Sequence, residues 1–346
     1  MTLAVRDTRL IVAAVLVVLA LISGCAGQAE RQAAGLPRSA GPPRSAGPAG
    51  PETRTPAPAP ATPAAVGADG SYRTGERQVT FTELARPGPA GQHLGQRALV
   101  TQIWYPRAHG PPGPFPLLLF APGFLQCPGA YSHLLRAWAS AGYVVAAVNF
   151  PRTNCHLGAE AYEADLVNQP RDMSYVLTRL LALSARPGDP FSGLLDPHEV
   201  GAAGQSDGGD TVVALAANTC CTDHRLRAVA VLSGAEWPPM PGRYFPGGVP
   251  PILFTQGSAD AINPAWMSLQ LYRADYASAR YYLDLFGASH LIPYEGTNPV
   301  ERLLARVTLA FFDRYVLGQT DALETMTHAG NVTGTAALVG GGQPPP

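Results

Sequence analysis

The chain has 346 residues, a formal net charge of −1 and no lysine, so all 24 basic residues are arginine. A balance this close to zero leaves no electrostatic footprint for nucleic acid or another polyanion. Proline, glycine and alanine crowd into some stretches and thin out in others, and that unevenness divides the chain.

At the N-terminus, Arg6 and Arg9 precede a 13-residue apolar run, Leu10–Ile22. A bilayer span needs about 20 such residues; the shorter run fits the apolar part of an export signal. It leads into Leu21-Ile22-Ser23-Gly24-Cys25, which resembles the lipobox of bacterial lipoproteins. The resemblance implies a signal peptide over residues 1–24, lipidation of Cys25 and an exported, cell-membrane lipoprotein facing outward. A plain secretory signal or an uncleaved anchor is the alternative. Several acyl chains on one cysteine anchor stably where one does not. Residues 25–70 are Pro, Ala, Gly, Ser and Arg, with similar units at Arg38–Pro42 and Arg44–Pro48. They hold too little apolar surface for a core and read as an extended, disordered spacer. Residues 319–346, ending in GGGQPPP, read as a flexible tail. One globular domain, 71–318, remains.

Within it, Glu76–Ala85 and Arg97–Tyr105 read as strands, an antiparallel start. Pro116–Ala121 and Tyr143–Val148 are continuous apolar runs, as in strands buried on both faces. Tyr131–Ser140 and Leu166–Ser184 carry apolar residues at helical spacing. Glu199–Asp210 follows, EVGAAGQSDGGD, in which a short strand, Gly204-Gln205-Ser206-Asp207-Gly208 and a helix from Thr211 form the layout of a nucleophile elbow. Leu226–Leu232, Pro251–Thr255 and Tyr281–Phe286 read as further strands, and Pro264–Ala277 and Pro299–Leu317 as helices. Strands alternating with helices predict an α/β fold: a mostly parallel sheet with helices on both faces and functional groups at the carboxyl edge.

Three expected strand ends carry chemistry. Ser206 sits on the elbow, Asp260 in Gly257-Ser258-Ala259-Asp260, and His290 in Gly287-Ala288-Ser289-His290. A serine hydroxyl needs a base to take its proton; imidazole does this near neutral pH, and a buried carboxylate orients the imidazole. Glu236, after the Leu226–Leu232 strand, is the rival acid. An oxyanion needs two N–H donors: the amides of Asp207 and Phe124 are the candidates, Phe124 because Gly123 lets the loop after PLLLFA approach closely. The Asp207 carboxylate is expected to point away and hydrogen-bond locally.

Phe115–Phe124, Gly204–Gly209, Gln256–Asp260 and Phe286–His290 resemble the α/β-hydrolases of the dienelactone hydrolase, platelet-activating-factor acetylhydrolase and polyester hydrolase (cutinase-like) group. Asn168–Asp172 and Asn218–Asp223 resemble its secreted actinobacterial members. The resemblance covers about Gln78–Leu317 and implies the α/β-hydrolase fold and ester hydrolysis through an acyl-enzyme, without cofactor or metal. The elbow departs from the group's pattern at Gln205, where His is common, and at Asp207, where Leu or Met is common. Dienelactone hydrolases proper use a cysteine nucleophile.

That fold sorts the cysteines left after Cys25. Cys127 and Cys155 follow strands at the catalytic edge and are expected to pair. Cys220 and Cys221 lie at the opposite edge, as a vicinal bridge or two thiols. No ligand spacing supports a metal site at Cys155-His156. No large helical lid is visible. Phe124, Trp237 and Trp266 are candidate linings for a small-molecule, lipid or polyester ester in a monomeric enzyme. Acyl transfer onto envelope lipids, or ligand binding without catalysis, are the competing functions.

Overall fold

In the computed structural model the described residues are 72–88, 91, 93–107, 113–277 and 279–340. The expected signal peptide, the spacer and Cys25 lie outside them. Among the described residues no helix is long and apolar enough to cross a membrane.

The chain enters through β1 (Arg73–Glu83), followed by a two-residue ladder, β2 (Arg86–Pro87) with β3 (His93–Leu94). β4 (Arg97–Arg107) pairs antiparallel with β1. Then strands and helices alternate: β5 (Phe115–Ala121), α1 (Ser132–Ala141), β6 (Val144–Asn149), α2 (Gln169–Ser184), β7 (Leu195–Gln205), α3 (Asp207–Ala217), β8 (Ala228–Leu232), β9 (Ile252–Gly257), α4 (Ala265–Ala274), β10 (Arg280–Leu285) and α5 (Pro299–Tyr315). Helix α6 (Ala322–Gly330) and strand β11 (Ala336–Gly340) complete the chain. The nine-stranded sheet runs β1-β4-β6-β5-β7-β8-β9-β10-β11. Its six middle strands are parallel, and antiparallel pairs flank them at both ends.

The ending corrects one expectation. The stretch after Gly318 reads as a weak tail, yet α6 packs on α5 and β11 closes the sheet against β10, Leu283 facing Leu338. Ala336 and Leu338 alternate inward and Met326 is buried, so this short apolar pattern is enough once an edge strand is there to receive it.

Alternate residues of each middle strand feed opposite faces. Leu117, Leu119 and Ala121 of β5 join a core with Val176 and Leu177 of α2 and Val212 of α3. Leu118 and Phe120 join another with Leu134 of α1 and Phe311 and Phe312 of α5. These runs are apolar throughout because both faces are covered.

Register fixes where the site forms. Ala121 pairs with Gly204, Gln205 with Leu232, Leu232 with Thr255 and Gly257 with Leu285, so β5, β7, β8, β9 and β10 end side by side. The turns that follow them gather at one edge.

Candidate active site

The elbow is built by close backbone contact. Ser206 has φ 56° and ψ −126°, a conformation that costs a non-glycine residue of order 1–3 kcal/mol and persists only where its surroundings enforce it. Those surroundings exclude side chains: a Cβ on Gly204 would lie 2.0 Å from Gly208 O, and one on Gly208 would lie 1.9 Å from Ala121 O. The turn thus presses α3 onto β7 and β5 and leaves Ser206 partly exposed at the N-terminus of α3.

Ser206, His290 and Asp260 meet there. Ser206 Oγ lies 2.9 Å from His290 Nε2, and His290 Nδ1 lies 2.7 Å from Asp260 Oδ2. The Asp260 side chain is wholly buried and His290 nearly so. Asp260 Oδ1 accepts the N–H groups of Ile262 and Asn263, and Oδ2 accepts Gln256 Nε2, so each oxygen has donors besides the imidazole. Such a carboxylate is held in one orientation. Glu236, the rival acid, is exposed and accepts from Gln270 Nε2 at 3.4 Å.

The loop after β5 lies against the elbow. A Cβ on Gly123 would be 3.1 Å from Ser206 Cβ, which puts the Phe124 peptide beside the serine. Asp207 opens α3, where N–H groups have no acceptor inside the helix and the helix dipole is positive. Both candidate donor amides thus belong to segments that border Ser206.

A run of hydrogen bonds that the sequence does not reveal ties this loop to His290. Gly123 N–H donates to the Tyr131 hydroxyl, the hydroxyl donates to Gln205 Oε1, and Gln205 Nε2 donates to the His290 carbonyl oxygen and lies 3.3 Å from His290 Nε2. Gln205 and Gln256 are polar residues at the buried ends of apolar strands, where polar groups require partners; that is the one signal by which the sequence marks them.

Asp207 departs from expectation. Its side chain is only 7% exposed, and its Oδ2 is sealed from solvent with no hydrogen-bond partner, so the local hydrogen bond is not made. The 3-10 turn Glu163–Asn168 packs against α3, with Glu163 close enough to act on the Asp207 charge. Burial, with the like charge of Glu163 adding to it, pushes the carboxyl up to about 7. Neighbouring Asp210 is also raised by burial, although it accepts the Ala235 N–H.

The expected apolar linings separate. Phe124 is half-buried beside Ser206. Trp237 packs on the flank of α3 with Leu166, Ala214, Met240 and Tyr244. Trp266 opens α4 and is 59% exposed. Cys127 and Cys155 form a disulfide, joining the turn after β5 to the loop after β6, and their sulfurs are thereby engaged rather than free for a metal. Cys220 and Cys221 form a vicinal disulfide at the far end of α3.

Arg97 anchors the Glu163–Asn168 turn. It is 6% exposed and bridges Asp165 and Asp172, donating to both oxygens of each. Burial opposes its charge, but the hydrogen bonds it donates to the two carboxylates, with their negative charge, outweigh that and raise its pKa.

A comparison with curated proteins gives no significant match. The family model described as PET hydrolase-like matches residues 49–332, most of the chain and all of the sheet up to α6. The sheet order, the elbow and this match agree: the chain belongs to the PET hydrolase-like family of α/β-hydrolases and is a carboxylic ester hydrolase of the serine hydrolase type.

Proposed function

We propose that Ser206, His290 and Asp260 are the catalytic triad, and that the protein hydrolyses polyester or lipid-like esters outside the cytoplasm while tethered through lipidated Cys25. His290 Nε2 takes the Ser206 proton as Oγ attacks the ester carbonyl. The Phe124 and Asp207 amides receive the charge that develops on the carbonyl oxygen. The imidazolium, held by Asp260, returns the proton to the leaving alcohol, and an acyl group remains on Ser206. Water activated by the same imidazole then releases the acid.

The observation that carries this reading is the continuous hydrogen-bonded run from Ser206 Oγ through His290 to Asp260. An apolar fringe supports the substrate class: Leu125, Ile262, Trp266 and Ile292 are exposed and all follow carboxyl ends of strands in sequence.

Turnover of p-nitrophenyl esters of increasing chain length, beside release of soluble acids from an aliphatic and an aromatic polyester film, tests the reading. Acid release that is lost in Ser206→Ala supports it. Preferential acyl transfer to an added alcohol replaces hydrolysis with transfer, and no turnover of any ester overturns both. Mass spectrometry of the mature N-terminus tests the anchor, and an unacylated Cys25 removes it.

A further inference from the structure

The residue beside the nucleophile is an acid with nothing to neutralise it. Asp207 is more than nine-tenths buried and its Oδ2 has no partner, and in the triad reading its backbone N–H is one of the two oxyanion donors. The titratable groups around it make the setting more hostile to charge. Glu163 comes from the turn after β6, Asp210 from the same helix, and Tyr131 from the turn after β5. Among the described residues no arginine is one of the charges that bear on it, and His290 reaches Ser206 from the loop after β10.

We propose that Asp207 is a positioning residue of the oxyanion site that works only as a neutral carboxylic acid, so that its ionisation shuts the enzyme down as pH rises. This rests on the triad reading above. A neutral carboxyl leaves the two N–H groups to meet the oxyanion unopposed. An ionised one puts a second negative charge on the same helix terminus, in surroundings of low polarity where like charges repel strongly. The balance is a simple proton loss from the carboxyl to solvent, with no other change in bonding. Activity then has two limbs: it falls in acid because the base must be neutral, and it falls in alkali because Asp207 must be protonated.

The experiment is the pH profile of kcat/KM for p-nitrophenyl butyrate, read at the isosbestic wavelength of p-nitrophenol, for the wild type, Asp207→Asn and Glu163→Gln. The wild type should decline above about pH 7, gently at first and approaching about tenfold per pH unit further above it. Asp207→Asn should lose that alkaline limb. Glu163→Gln removes a like charge from the exposed turn, so its limb should move to lower pH. An unmoved limb in Asp207→Asn overturns the proposal.

A second readout does not need turnover. The folded carboxyl keeps its proton to higher pH than the unfolded chain does, so the native state binds the extra proton between about pH 4 and 7 and this group's contribution to stability falls as pH rises through that window. The wild type should therefore lose ground to Asp207→Asn in denaturation midpoint across the window and hold level above it. A constant difference from pH 4 to 8 overturns the proposal even if the ester assays fail, whereas absent turnover with the expected stability slope sinks the triad reading and leaves the buried acid standing.

Discussion

The Tyr131 hydroxyl donates a 2.7 Å hydrogen bond to Gln205 Oε1 while accepting the N–H of Gly123, so one phenol joins the loop after β5 to the residue that hydrogen-bonds His290. Tyr131 is wholly buried, and burial raises its pKa, keeping the phenol protonated and able to donate. The loop and the imidazole are thus positioned together rather than separately.

Removing that hydroxyl should affect both. Tyr131→Phe leaves the buried Gln205 oxygen without its donor, at a cost of about 1–3 kcal/mol, measured by urea denaturation. It also frees the Gly123 peptide, so kcat should fall while KM changes little. A variant with wild-type kcat and lowered stability would make the bond structural only.

Arg97 offers a second prediction. It is buried between Asp165 and Asp172, and Asp165 lies in the turn that packs against α3. Arg97→Ala leaves buried Asp165 without its arginine and Asp172 with Arg86 alone, and should cost about 3–5 kcal/mol. Arg97→Met, which keeps the bulk, should do no better, because the loss comes from the uncompensated charge. A loss under about 1 kcal/mol in either variant contradicts this account of the network.

Asp260→Asn keeps the shape of the orienting residue and removes its charge. The amide offers Nδ1 of His290 a different partner and favours the wrong tautomer, so kcat should fall by about 10⁴. Folding should survive, because the Ile262 and Asn263 amides still find an acceptor oxygen. Equal activity in the variant would pass the acid's role to another carboxylate, with Glu236 first in line.

The parallel middle of the sheet is readable from apolar runs such as PLLLFA and Tyr143–Val148, because strands covered on both faces can carry little else. The elbow is readable for a related reason: only glycine fits where the Gly204 and Gly208 backbones touch their neighbours. What stays hidden depends on distant pairing. Arg97 opens an ordinary strand pattern, and its partners are 68 and 75 residues away, with no local spacing to mark them. Strand β11 is five small or apolar residues whose meaning comes only from β10 beside it. Asp207 looks free to turn outward, since nothing local shows that the turn at Glu163–Asn168 packs against its helix.

The most direct test of the central claim is covalent capture of the nucleophile. A fluorophosphonate probe should add once per chain, with the adduct on the Ser206 peptide. The folded Ser206→Ala variant should take none, and His290→Ala should slow labelling of Ser206 by several orders of magnitude. An adduct on another residue, or undiminished labelling of Ser206→Ala, would contradict the assignment.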